Sequence, residues 1–87
     1  MYDIELTPES RRHLGRLPEK IRHVAIAPMQ GGIAENPRRA GKALVGELEG
    51  LWSARRGDFR VIYEIDKATQ TVVIIRVQHR ADVYRPR

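Results

Sequence analysis

Residues 48–66, LEGLWSARRGDFRVIYEID, restrict the possible folds of this chain more than any other stretch. From Phe59 onward, Phe59, Val61, Tyr63 and Ile65 alternate with Arg60, Ile62 and Glu64, the period-two signature of a strand with one face on a core. Gly57-Asp58 reads as a tight turn joining that strand to another ahead of it. Arg60 then falls on the face opposite the aromatic residues. Arg55 and Arg56, adjacent in the preceding strand, must point to opposite faces, so one of them shares a surface with Arg60. Guanidinium groups converging on one sheet face suit a phosphate-bearing partner, because the planar fork matches phosphate oxygens bidentately.

The flanking sequence supplies the other layer. Tyr2, Ile4 and Leu6 alternate with Asp3 and Glu5 as a short half-buried strand. Thr7 is a good N-cap, Pro8 a good first helical residue, and Glu9 complements the positive first turn. The helix that follows is expected to reach about Leu17, burying Leu14 and Leu17 and leaving Arg11, Arg12 and Arg16 in water. Pro18 starts a second helix, making a hairpin whose apolar side, Leu14, Leu17, Ile21 and Val24, covers the sheet. A kink or break is expected near Pro28, and Asn36-Pro37 closes any resumed turn. PRRAGKALVGELEG reads as a basic loop without periodicity, while Leu44, Leu48 and Leu51, with Trp52, read as core.

After a hairpin loop at 66–70, Thr71 to Val77 is apolar on both faces and belongs in the middle of a sheet. Arg76, its one polar interior member, either reaches the sheet edge or joins the face of the other arginines. Residues 78–87 are a polar tail punctuated by Val83 and Tyr84. The order β-α-α-β-β-β describes one α+β domain over residues 1–87. It is a small four-stranded, mainly antiparallel sheet, covered on one face by the helical hairpin and partly open on the other.

Composition narrows the partners. Sixteen Lys and Arg against 11 Asp and Glu give a net charge of +5, which favours a polyanion. The chain has no cysteine, so disulfide frameworks and thiolate metal sites are excluded. No apolar run approaches the roughly 18 residues of a membrane span, and MYDIELTPES does not read as a signal peptide. The expectation is a soluble cytoplasmic protein that makes no membrane contact. His13 and His23 show no metal-ligand spacing with any acid, so neither metal nor cofactor is expected.

The element order, together with GKALVGELEGLWSARRGDFRVIYEID in the middle and VQHRADVYR at the end, resembles the RelE/ParE superfamily of bacterial toxins over nearly the whole chain. The V-Y-R ending is closer to its RelE-type branch. The resemblance implies a toxin that cleaves mRNA in the ribosomal A site without metal and is neutralised by a cognate RelB-like antitoxin encoded beside it. Because the ParE branch shares the R-x-G-x-[YF]-R block, the alternative is a non-nuclease toxin that binds and inhibits DNA gyrase.

Metal-free RNA cleavage by the ribose 2′-hydroxyl needs a proton acceptor for that hydroxyl, a donor for the 5′-oxygen, and cations for the phosphate charge. The resemblance implies Arg60 and Arg80 as phosphate-stabilising groups, His79 as general acid and Tyr84 as a base-stacking hydroxyl. It further implies Arg55 and Lys42 as RNA-binding residues. An imidazole changes charge near neutral pH, which suits proton transfer. His79 and Tyr84 are also readable as packing residues, and Lys42 as a solvated loop lysine. Lysines that some family members carry on the strand of Trp52, Ser53 and Ala54 are missing here, and no proton acceptor is assigned.

Overall fold

Strand β5 (Thr71–His79) is the spine of the sheet. Its Val72, Ile74 and Val77 are buried, and both its flanks are paired, as its doubly apolar sequence requires. Strand β1 (Asp3–Leu6) lies parallel to it, with Leu6 opposite Ile74, and β4 (Phe59–Asp66) lies antiparallel on the other side. Strand β3 (Leu51–Arg56) follows β4, and β2 (Lys42–Ala43) closes the order β1-β5-β4-β3-β2. The sheet thus has five strands where four were expected. The additional one is a two-residue ribbon within the basic loop, too short to produce a periodic signal. This computed structural model describes residues 1–79, so Arg80 and Tyr84 lie outside the described residues.

The helical layer begins at Thr7, whose side-chain oxygen accepts the Ser10 N–H at 3.1 Å and donates to the Ile75 carbonyl at 3.0 Å. One residue therefore caps α1 (Pro8–Gly15) and fastens it to β5. Beyond Leu6, where β1 stops, α1 lies along the exposed edge of β5, and His13 Nδ1 accepts the Val77 N–H at 3.3 Å. Arg22 holds the turn into α2 (Glu19–Pro28) by donating to the carbonyls of Leu14 at 3.0 Å and Leu17 at 3.1 Å.

At Pro28 the chain does not break. Proline cannot close the regular bond to the preceding turn, and the helix widens instead into a π-helical turn, Met29–Ile33. A short α3 (Pro37–Ala40) follows, with Asn36 Oδ1 accepting the Arg39 N–H at 3.3 Å.

The core packs Leu14, Ala25, Met29 and Ile33 of the helices against Ala54, Phe59, Val61, Tyr63, Val72, Ile74 and Val77 of the sheet. This corrects the expected helical cover, since Ile21 is 37% and Val24 63% exposed. The buried stripe steps by four residues, Ala25 to Met29 to Ile33, through the π turn. Val24 lies off that stripe, and Ile21, four residues before Ala25, stands near the start of α2 where the stripe begins.

A basic groove on the open sheet face

The pairing of β3 with β4 decides which side chains share a surface. Arg55 lies directly opposite Arg60, and Ser53 opposite Ile62, while Ala54 meets Val61 on the buried side. Lys42 is opposite Ser53, which brings it to the same uncovered face. Paired residues on one face stand about 5 Å apart at Cβ, and like charges placed so are destabilising. The Arg55–Arg60 pair therefore carries a repulsion that a bound anion relieves.

On β5, pairing alone would not produce this surface. Val72 and Ile74 face the core, so unbroken alternation would bury Arg76 as well. The register slips between Ile62 and Tyr63, where Ile62 pairs with Arg76 but Tyr63 pairs with Ile74, leaving Ile75 as an extra residue. That bulge returns Val77 to the core and turns Arg76 and Gln78 outward beside Ile62 and Arg60.

The result is an open groove of about 220 Å³. Its floor is Leu44, Leu48, Leu51, Ile62 and Ile75, and its polar members are Ser53, Arg60, Arg76 and Gln78. The leucines expected in the core are thus groove residues. Leu48 is 53% exposed, because the loop after β2 folds over the open face rather than under the sheet. Arg76 Nε contacts Glu9 Oε2 of α1 at 3.3 Å, the single salt bridge among the described residues. Apart from Glu9, the acids that the strands place on this face stand away from Arg55 and Arg60, with Glu64 at the far end of β4 and Asp3 and Glu5 on β1.

The predicted site residues divide accordingly. Arg55, Arg60 and Lys42 come together on the uncovered face. His79 does not join them: it pairs with Phe59, and the two rings meet edge to face with centroids 4.9 Å apart on the helix-covered side. The face next to Arg60 is occupied by Gln78 instead. The sequence holds a signal for this placement, since His79 stands two residues from the apolar Val77. Among the described residues no group of three or more His, Cys, Asp or Glu could hold a metal ion, and no helix is long and apolar enough to cross a membrane.

Residues 4–84 match the family described as the ParE toxin of type II toxin-antitoxin system, parDE. The chain belongs to the RelE/ParE family of type II toxins. The toxin is 45% identical over 84 residues to Toxin RelG of Mycobacterium tuberculosis, covering 97% of each chain. It has the same identity over 84 residues with Toxin RelE of that organism, covering 97% of this chain and 87% of the relative. The crystal structure of the toxin-antitoxin complex RelBE2 from M. tuberculosis contains a chain that superposes with a TM-score of 0.87 at 43% identity, covering 91% of this chain and 98% of that one. The isolated E. coli RelE toxin shares the fold, with a TM-score of 0.72 at 18% identity over 97% of this chain and 92% of that one.

Beneath its basic face the toxin is braced by Arg56, which points to the covered side. Its guanidinium donates to the Arg55 carbonyl at 2.8 Å and to the Ala40 carbonyl at 3.0 Å, tying the end of β3 to the end of α3. Tyr63 donates its hydroxyl to the Pro37 carbonyl at 2.6 Å. Burial raises its pKa, against a smaller lowering by the Arg56 guanidinium, so the phenol is held neutral. Gly41 lets β2 approach so closely that a Cβ there would collide with the Tyr63 hydroxyl and lie 2.6 Å from the Ser53 carbonyl oxygen.

Proposed function

We propose that this toxin is a ribosome-dependent mRNA endonuclease acting on the A-site codon: the ribose 2′-oxygen bonds to the adjacent phosphorus as its proton passes to water, and the P–O5′ bond breaks to leave a 2′,3′-cyclic phosphate and a 5′-hydroxyl. The observation that carries the reading is the Arg55–Arg60 pair on an uncovered sheet face, two guanidiniums opposed with no carboxylate between them. Kinship with Toxin RelE and Toxin RelG supports it.

In this mechanism Arg60 and Arg80 stabilise charge on the scissile phosphate, where such preorganised donors act most strongly. Arg55 and Lys42 hold the RNA backbone, and Tyr84 stacks on a base. His79 supplies the proton to the 5′-oxygen, working from the rim of the sheet beside Phe59 rather than from its open face. The reaction as proposed requires no metal or cofactor. A cognate RelB-like antitoxin covers the basic surface, as the RelBE2 complex of the 43% identical relative suggests, and the toxin works in the cytoplasm where ribosomes are.

The test is primer extension on mRNA from cells induced for the wild type or Arg60→Ala. The expected outcome is new 5′ ends confined to translated frames, falling about 10²- to 10³-fold in the variant, as for loss of one transition-state donor. Intact messages in growth-arrested cells refute the reading. The match to the ParE description favours a second one, inhibition of DNA gyrase, and under it replication stops before translation.

A further inference from the structure

We propose that Arg76 binds substrate in this groove, joining Arg60 on a single RNA phosphate, and that Glu9 is the positioning residue that aims it. The proposal rests on the endonuclease reading. Three features of the fold support it independently of any motif.

The first is the bulge at Ile75, without which Arg76 would point into the core. A bulge disrupts the ladder, and bulges are over-represented at sheet edges and next to active sites, where they re-aim side chains. The second is register. Arg60 pairs with Gln78 and Ile62 with Arg76, so Arg60 and Arg76 are diagonal neighbours on one face, a relation that sets residues about 7–8 Å apart. Side chains of that length, rooted at that spacing, can converge on one phosphate, and both line the same groove.

The third is how Glu9 holds Arg76. The bond is made through Nε at 3.3 Å, and guanidinium carries four further N–H donors on its terminal nitrogens. The carboxylate thus fixes the plane of the fork and leaves its outer edge for a phosphate. The pair is open to solvent, at 49% and 40% side-chain exposure, where an ion pair contributes little to stability. Glu9 itself is held in place by the first turn of α1, which Thr7 fastens to β5.

The test measures single-turnover cleavage of mRNA on purified translating ribosomes over a range of salt, with thermal unfolding followed in parallel. Arg76→Gln is expected to lower kcat/KM about 10- to 100-fold, the range for a charge-assisted contact. It should also reduce the salt slope of log kcat/KM by about 1 while leaving the unfolding temperature in place. Arg76→Lys restores the salt slope and part of the rate. Glu9→Gln lowers kcat/KM about 3- to 10-fold through KM, with the slope retained.

Equal losses of unfolding temperature in Arg76→Gln and Glu9→Gln, with unchanged salt slopes, would show a merely structural pair and overturn the proposal. A gain of activity in Glu9→Gln overturns the positioning role. Full cleavage by Arg76→Gln with weakened capture of the antitoxin assigns Arg76 to a protein partner instead. If Arg60→Ala fails to cleave while Arg76→Gln cleaves normally, this inference alone falls. If the wild type leaves ribosome-bound mRNA whole, the endonuclease reading falls with it.

Discussion

Replacing Tyr63 by Phe removes one oxygen from the centre of the molecule, and the structure sets the cost. Tyr63 is 0% exposed, and its hydroxyl is the donor to the Pro37 carbonyl at 2.6 Å. Pro37 is itself fully buried, so without the hydroxyl its carbonyl loses that donor in a place water does not reach. An orphaned buried acceptor costs about 1–3 kcal/mol. The gap left by one oxygen is smaller than a methyl group and adds little. A loss of about 2 kcal/mol, at about 4–8 °C per kcal/mol for a domain of this size, lowers Tm by about 8–16 °C.

The pH dependence is a second signature of the same atom. Burial raises the folded-state pKa of Tyr63 above its ordinary 10.0. The unfolded phenol ionises first, so this contribution is complete below pH 10 and fades as pH rises from there through the folded value. The wild type should therefore lose stability on the alkaline side more steeply than Tyr63→Phe, and the gap between them should narrow above pH 10. Urea unfolding at a series of pH values measures both effects. A variant within about 0.5 kcal/mol of the wild type, the margin typical of neutral surface changes, with a parallel alkaline limb, would refute the reasoning.

Three other outcomes follow from the same structure. Gly41→Ala forces a Cβ against the Ser53 carbonyl and should cost about 1–3 kcal/mol in urea unfolding, whereas Gly15→Ala, with nothing within 4 Å of the new carbon, should be neutral or stabilising by up to about 1 kcal/mol. His13→Ala removes the acceptor of the Val77 N–H, so hydrogen exchange at that amide should accelerate about 5-fold, for a bond of about 1 kcal/mol. Arg56→Ala strips a donor from the Arg55 and Ala40 carbonyls and should lower stability by about 1–2 kcal/mol; Arg55→Ala, on the open face, should leave stability within about 0.5 kcal/mol and, under the proposed endonuclease function, slow mRNA cleavage instead.

Period-two alternation made β3, β4 and the opposed orientations of Arg55 and Arg56 readable from sequence, because one buried face imposes that pattern directly. Thr7 and Pro8 marked the start of α1 for an equally local reason. The groove floor was not readable. Leu44, Leu48 and Leu51 are separated by Gly46 and Gly50, both at positive φ, so the backbone reverses between them and no period survives. The direction of Arg76 depends on a bulge, and a bulge arises from pairing with another strand rather than from the strand's own residues. The widening at Pro28 is of the same kind: proline announces an interruption, and the packing of Met29 and Ile33 decides that the chain continues.

The parallel pairing of Asp3–Leu6 with Thr71–Ile74 joins strands far apart in sequence, and β5, with a neighbour on each side, follows the other four strands in chain order. Contacts this distant in sequence form only after a large loop has been closed. A nascent chain still lacking residues 71–79 has neither the central strand nor the edge on which α1 rests. The sheet thus assembles only once β5 has been made and has left the ribosomal exit tunnel, and until then β1 and β4 each lack the neighbour that completes them.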